Sequence, residues 1–67
     1  MEHRYLDHII LVTAAGPSIN FRWKPNCAIL AEGSRKLIKL LEWDLDYDSP
    51  EEAERIGLIV AKKWIGT

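Results

Sequence analysis

The chain has one cysteine, Cys27, in 67 residues. A single thiol excludes an intrachain disulfide and any zinc site built from several cysteines. Long hydrophobic runs are also missing, since no stretch reaches the 18 or more apolar residues that a membrane-crossing helix needs. The first eight residues carry both charge signs and lack the apolar core of a signal peptide. A cytoplasmic protein that avoids the membrane is therefore expected. Neither charge sign dominates: nine basic residues face ten acidic ones, the net charge is −1 and the pI is near 6.1. Such a balance gives no overall pull toward nucleic acid or anionic lipid. The four glycines form no phosphate-binding loop. No nucleophile, base and oxyanion donors converge in the pattern, so an enzyme is not expected, and neither is a cofactor.

What is present is ordinary for a folded domain. Hydrophobic residues make up 48% and charged residues 28%, which argues against disorder. The length sets a single domain, residues 1–67, and a chain this short buries only about 60% of the surface it exposes when unfolded. Small scaffolds recruit disulfides, metals or partners to compensate. With the first two unsupported, a homodimer is the expected reinforcement.

The strongest local signal runs from Asp48 to Trp64. Ser49 is spaced to cap the N–H of Glu52, Glu52 is spaced to answer as a capping box, and Pro50 stands at the first helical position. Glu51, Glu52 and Glu54 suit the positive end of the helix dipole, and Lys62 and Lys63 suit the other end. Gly66 can stop the helix. At about 100° per residue, Ala53, Ile56, Gly57, Val60 and Trp64 fall on one stripe with Ala61 at its edge. Glu51 and Arg55 are spaced for an i,i+4 pair. Leu58, Ile59 and Ile65 stand off the stripe and are a possible partner surface.

Upstream, residues 5–13 read as a strand, rich in β-branched types with no helix-start signal. Ala15–Ser18 is a turn cluster. Residues 19–24 alternate Ile19, Phe21 and Trp23 against Asn20, Arg22 and Lys24, a half-buried strand. Pro25-Asn26 bends it, and 27–31 continue it. Residues 35–47 fit both periods: Leu41, Trp43, Leu45 and Tyr47 alternate as in a strand, while Leu37, Ile38 and Leu41 also fit a helix. The longer period-2 run favours the strand. The expected fold is α+β, a three-stranded antiparallel meander followed by one C-terminal helix packed on one face (βββα). Ile19, Phe21, Trp23, Trp43 and Leu45 would meet the helix. Apolar residues among Ile9, Ile10, Leu11, Val12, Ile38 and Leu40 would face a second subunit.

Candidate chemistry is sparse. Asp44, Asp46 and Asp48 have the opening spacing of a calcium loop, but Ser49, Pro50 and Arg55 occupy positions that need glycine, a carbonyl turn and a bidentate glutamate. His3, Asp7 and His8 offer metal-ligand types, yet Asp7 and His8 would point to opposite faces of a strand. Cys27 with a histidine suggests a nucleophile and base, but an apolar run around it favours an inert buried thiol. Ser18 and Ser34 suit turns. Gly57, four residues from both Ala53 and Ala61, suggests a close helix–sheet approach. Arg22, Lys24, Lys36 and Lys39, with Trp23 among them, could form a basic face for single-stranded nucleic acid, the alternative to a protein-binding role.

Two resemblances follow from these residues. The order strand, strand, strand, helix is similar to the C-terminal part of a double-stranded RNA-binding domain, which implies lysines gripping phosphates at the helix start. Here that start is Ser49-Pro50-Glu51-Glu52-Ala53-Glu54, and carboxylates cannot clamp phosphate. Over residues 27–65 the chain resembles small bacterial domains of unknown function, through Tyr47 to Ala53 (Tyr-Asp-Ser-Pro-Glu-Glu-Ala) and Ala61 to Ile65 (Ala-Lys-Lys-Trp-Ile). That resemblance implies the meander-plus-helix fold and no activity. The expected role is a non-catalytic protein-binding module.

Overall fold

A computed structural model describes residues 2–66. It is α+β, with strands β1 (Glu2–Tyr5), β2 (His8–Ala15), β3 (Lys24–Ala31) and β4 (Leu37–Glu42) and one helix, α1 (Pro50–Gly66). The strands form one antiparallel sheet in the order β1-β2-β3-β4, a simple meander. The sheet therefore has four strands, not three. The additional strand arises because residues 2–15 fold back on themselves at Leu6 and Asp7, whose φ angles of 46° and 63° make a tight two-residue turn. This turn shape matches strand twist and ordinarily draws Asn-Gly. Leu-Asp gives no such signal, so the fold-back is invisible in the local pattern.

A second correction concerns residues 16–23. Ile19 and Phe21 are 94% and 79% exposed and take no part in the sheet side of the core. The hydroxyl of Ser18 accepts hydrogen bonds from the N–H groups of Asn20 (3.3 Å) and Arg22 (3.1 Å), and the Ser18 carbonyl accepts from Phe21 (2.8 Å). Those local bonds offer the backbone an alternative to a ladder. Phe21 then takes a φ of 58°, which breaks the alternation, and the regular strand begins only at Lys24. Trp23 still bridges to Tyr47, their N–H and C=O groups exchanging two bonds of 2.8 Å. Residues 37–42 are strand, as the period-2 pattern indicates, but β4 ends at Glu42 and Leu45 beyond it is 66% exposed.

Cross-strand partners share a face. One face carries the rows His3–Ile10–Ile29–Lys39 and Val12–Cys27–Leu41, the other the rows Arg4–Ile9–Leu30–Leu37 and Glu2–Leu11–Ala28–Leu40. The helix lies on the first face, mainly over β2 and β3. Ile10, Val12, Cys27, Ile29 and Ala61 form the buried cluster, with Tyr5, Leu41, Trp43, Leu58 and Ile65 packed around it. Ile10 and Val12 thus belong under the helix and not on the open side. The buried helix residues are Ala53, Gly57 and Ala61. Ala61 is central to the contact, while Trp64, expected on the stripe, is 40% exposed. Small residues bring the backbones together: the Cys27 thiol donates to the Gly57 carbonyl at 3.2 Å.

The helix start follows the sequence in part. The N–H of Glu52 donates to the Ser49 hydroxyl at 3.1 Å. The Glu52 carboxylate, instead of returning to Ser49, accepts from Arg55 at 2.6 Å and 3.1 Å. An i,i+3 bidentate pair thus replaces the expected Glu51–Arg55 pair. It holds the Glu52 carboxyl below its ordinary range, the hydrogen bond from Arg55 being the main cause.

Two substitutions probe this architecture. A Cβ on residue 57 would come 3.0 Å from Cys27 Sγ and 3.3 Å from Pro25 Cβ, both in the core. Gly57→Ala gains about 1 kcal/mol of helix propensity but incurs about 1–3 kcal/mol of overpacking. Net destabilisation is expected in urea unfolding. Combining it with Cys27→Ala should be less damaging than the sum of the singles, because the opposing sulfur is gone. In the β1–β2 turn, Leu6→Asn with Asp7→Gly should raise stability by about 1 kcal/mol, since both types accept positive φ at low cost.

Candidate functional site

The residues singled out by type are dispersed. The guanidinium of Arg22 is held by Asp46, with Nε donating to the carboxylate at 2.8 Å and Nη2 donating to the backbone carbonyl at 2.9 Å. Its Nη1 donates to the carboxylate of Asp48. The hydrogen bond that Arg22 donates to Asp46 is the main reason its pKa lies above the ordinary value. The pair ties the β2–β3 loop to the segment before the helix. This cation therefore organises a loop and does not stand open for phosphate. Lys24 opens β3, Lys39 lies in the row of Ile10 and Ile29 at the β4 edge, and Lys36 sits in the turn before β4. The four basic positions do not converge on one surface.

The aspartates of the 44–48 segment are split in the same way, two of them taken up by Arg22. Among the described residues no group of three or more His, Cys, Asp or Glu is placed to share a metal ion. His8 Nδ1 lies 2.7 Å from the carbonyl of Leu6, within the β1–β2 turn, and Asp7 occupies that turn itself. His3 Nε2 is buried without a hydrogen-bond partner, beside a groove lined by Glu51, Glu54, Arg55 and Leu58. Cys27 is buried, and burial pushes its thiol pKa up, which suppresses the thiolate that nucleophilic chemistry requires.

The residues proposed as a partner surface on the helix also divide. Leu58 and Ile65 pack against the core, and only Ile59, 41% exposed, turns outward. Near it Lys62 places its ammonium 5.4 Å from the centre of the Tyr5 ring, a cation–π contact. No helix among the described residues is long and apolar enough to cross a membrane.

The most distinctive surface lies elsewhere, on the side of the sheet that the helix leaves open. Leu11, Ala28 and Leu30 line its middle and are half-buried by their neighbours alone. Leu37 and Leu40 are each 56% exposed, and Ile38 beside them is 44% exposed. Arg35, in the β3–β4 turn, reaches Glu2 on β1 at 3.3 Å, an ion pair that spans the sheet and partly roofs this face. Ile9, on the same face between Arg4 and Leu30, is buried. The roof stops short of β4. That strand has an unpaired edge and apolar residues on both sides, a combination that proteins ordinarily blunt. Sequence reasoning found Ile38 and Leu40 here but not Leu37, Leu30 or Ala28. The β-bulge between Ile29 and Leu30, opposite Leu37–Lys39, shifts the alternation by one residue and hides Leu37 from period-2 reading.

No protein-family model, curated protein or solved structure matches this chain. That is in keeping with the resemblance to a small domain of no assigned activity, and no role transfers from a relative.

The thiol provides a direct check of the core. Cys27 should react with a disulfide reagent such as DTNB only as fast as the fold opens, and addition of denaturant should release one equivalent at once. Prompt stoichiometric reaction in native buffer would show that the helix does not seal this strand.

Proposed function

We propose that this protein is a small non-catalytic binding module that works by protein–protein association, as a homodimer formed through the part of the sheet that the helix leaves uncovered. One observation carries the reading: a domain with one helix covers one face, and the remaining face and the β4 edge present Leu37, Ile38 and Leu40 to solvent. Monomeric soluble proteins rarely leave contiguous apolar surface of this kind without use. A second subunit would also supply the buried area that a chain of this size lacks. The dispersal of Arg22, Lys24, Lys36 and Lys39 gives no support to a nucleic-acid role. The unpaired buried thiol suits a reducing compartment such as the cytoplasm.

Sedimentation equilibrium at micromolar concentration is expected to give a dimer mass. Leu37→Ser with Leu40→Ser should shift the protein to monomer and give a urea midpoint that no longer rises with protein concentration, the monomer fold itself being little affected because both side chains are more than half exposed. A wild-type protein that stays monomeric up to millimolar concentration would sink the proposal. So would tight binding to single-stranded DNA that weakens steeply with salt.

A further inference from the structure

The open edge of β4 carries information about what can pair with it. The strand and its flanks read Lys36-Leu37-Ile38-Lys39-Leu40-Leu41-Glu42-Trp43-Asp44. Both basic residues lie in the first half and both acidic residues in the second, and all four are exposed. Beyond the bulge, Lys39 to Glu42 runs in regular register with β3, so its outward edge is a straight row of alternating free N–H and C=O groups. Two copies laid side by side and antiparallel bring the basic half of each beside the acidic half of the other. Laid parallel, they bring like charges together. Lys39 projects from the helix side of the sheet and Glu42, opposite Asn26, from the open side, so the complementarity is between the strand's two halves along its length and not between side chains facing each other directly.

We infer that two copies of this chain associate edge to edge through β4, antiparallel about a two-fold axis normal to the sheet, and so form a continuous eight-stranded sheet. This rests on the homodimer reading above and specifies its geometry. The axis leaves both helices on one side of the joined sheet and makes the two exposed apolar faces one surface. Backbone hydrogen bonds supply the attachment, the charges set the direction, and Leu40 lies near the axis.

The test separates the geometry from the existence of the dimer. Lys36→Glu with Lys39→Glu makes the strand wholly acidic, and Glu42→Lys with Asp44→Lys makes it wholly basic. Each variant alone should self-associate about tenfold or more weakly than the wild type. A one-to-one mixture of the two should recover dimer mass as a heterodimer, read by sedimentation or native mass spectrometry. Circular dichroism reports that each variant is folded. If either is not, the wild type alone decides: alternate amides within Leu37–Glu42 should become protected from hydrogen exchange as concentration rises into the dimer range.

A wild-type dimer whose charge variants still self-associate normally, or whose β4 amides exchange at a rate independent of concentration, overturns edge pairing and leaves a face-to-face dimer. A wild-type monomer overturns both readings, and leaves the edge open to an extended segment of another protein.

Discussion

The distance between the helix and the sheet at Gly57 governs the rest of this structure. With only Ala53, Gly57 and Ala61 on its buried stripe, α1 approaches β2 and β3 closely enough for the Cys27 thiol to reach a helix carbonyl. A closely seated helix with a narrow stripe covers little width. It seals Ile10, Val12, Cys27 and Ile29 beneath it, with Tyr5 of β1 and Leu41 of β4 packed at the margin of that cluster. Larger residues at the three positions would lift the helix and widen its cover at the expense of density, where most of the dispersion energy lies. The exposure of β4 is thus a consequence of how the core is closed.

The electrostatics are local and follow the same economy. Glu52 is taken by Arg55 within one helical turn, Arg22 by Asp46 and Asp48, and Glu2 by Arg35. The Arg22 and Arg35 pairs tack a loop and the first strand to the frame, the Glu52–Arg55 pair stays within the helix, and exposed pairs of this kind contribute little to stability individually. Their effect on function is larger, because they remove charges that could have formed a site. Arg22 is the clearest case. Its position beside Trp23 suggests stacking and phosphate contact, and its real partners are two carboxylates more than twenty residues away in the chain.

What was legible in the sequence is what depends on neighbours in sequence. The helix from Pro50, its Ser49 cap and the close approach at Gly57 follow from spacing alone, and so does the choice of strand for residues 37–42. What was hidden depends on conformations that composition does not advertise. Leu6 and Asp7 turn the chain without glycine, Ser18 captures the backbone of the next loop, and a bulge moves Leu37 to the open face. Each is an unremarkable residue in an unusual φ or register. Together they convert the alternation of Ile19, Phe21 and Trp23 into a loop and divide residues 2–15 into two strands. Leu58 and Ile65 illustrate the complementary error: standing off an ideal stripe does not expose a residue when the sheet twists beneath a helix.

The two edges of the sheet differ in a way that would limit the proposed association to two copies. An open meander has two unpaired edges, and growth through both would produce a filament. β4 is six residues long with apolar residues on both sides, whereas β1 is four residues long, alternates charged residues with His3 and Tyr5, and carries Glu2 in an ion pair with Arg35. Short, charged edges resist pairing. An isologous contact through β4 uses the same edge twice and leaves only the β1 edges at the ends. The charge order along β4 would favour that contact, since a strand whose halves are opposite in sign is complementary to its own reverse. In the proposed dimer, closure would come from the polarity of one strand and the shortness of another, with the helix contributing only by leaving both uncovered.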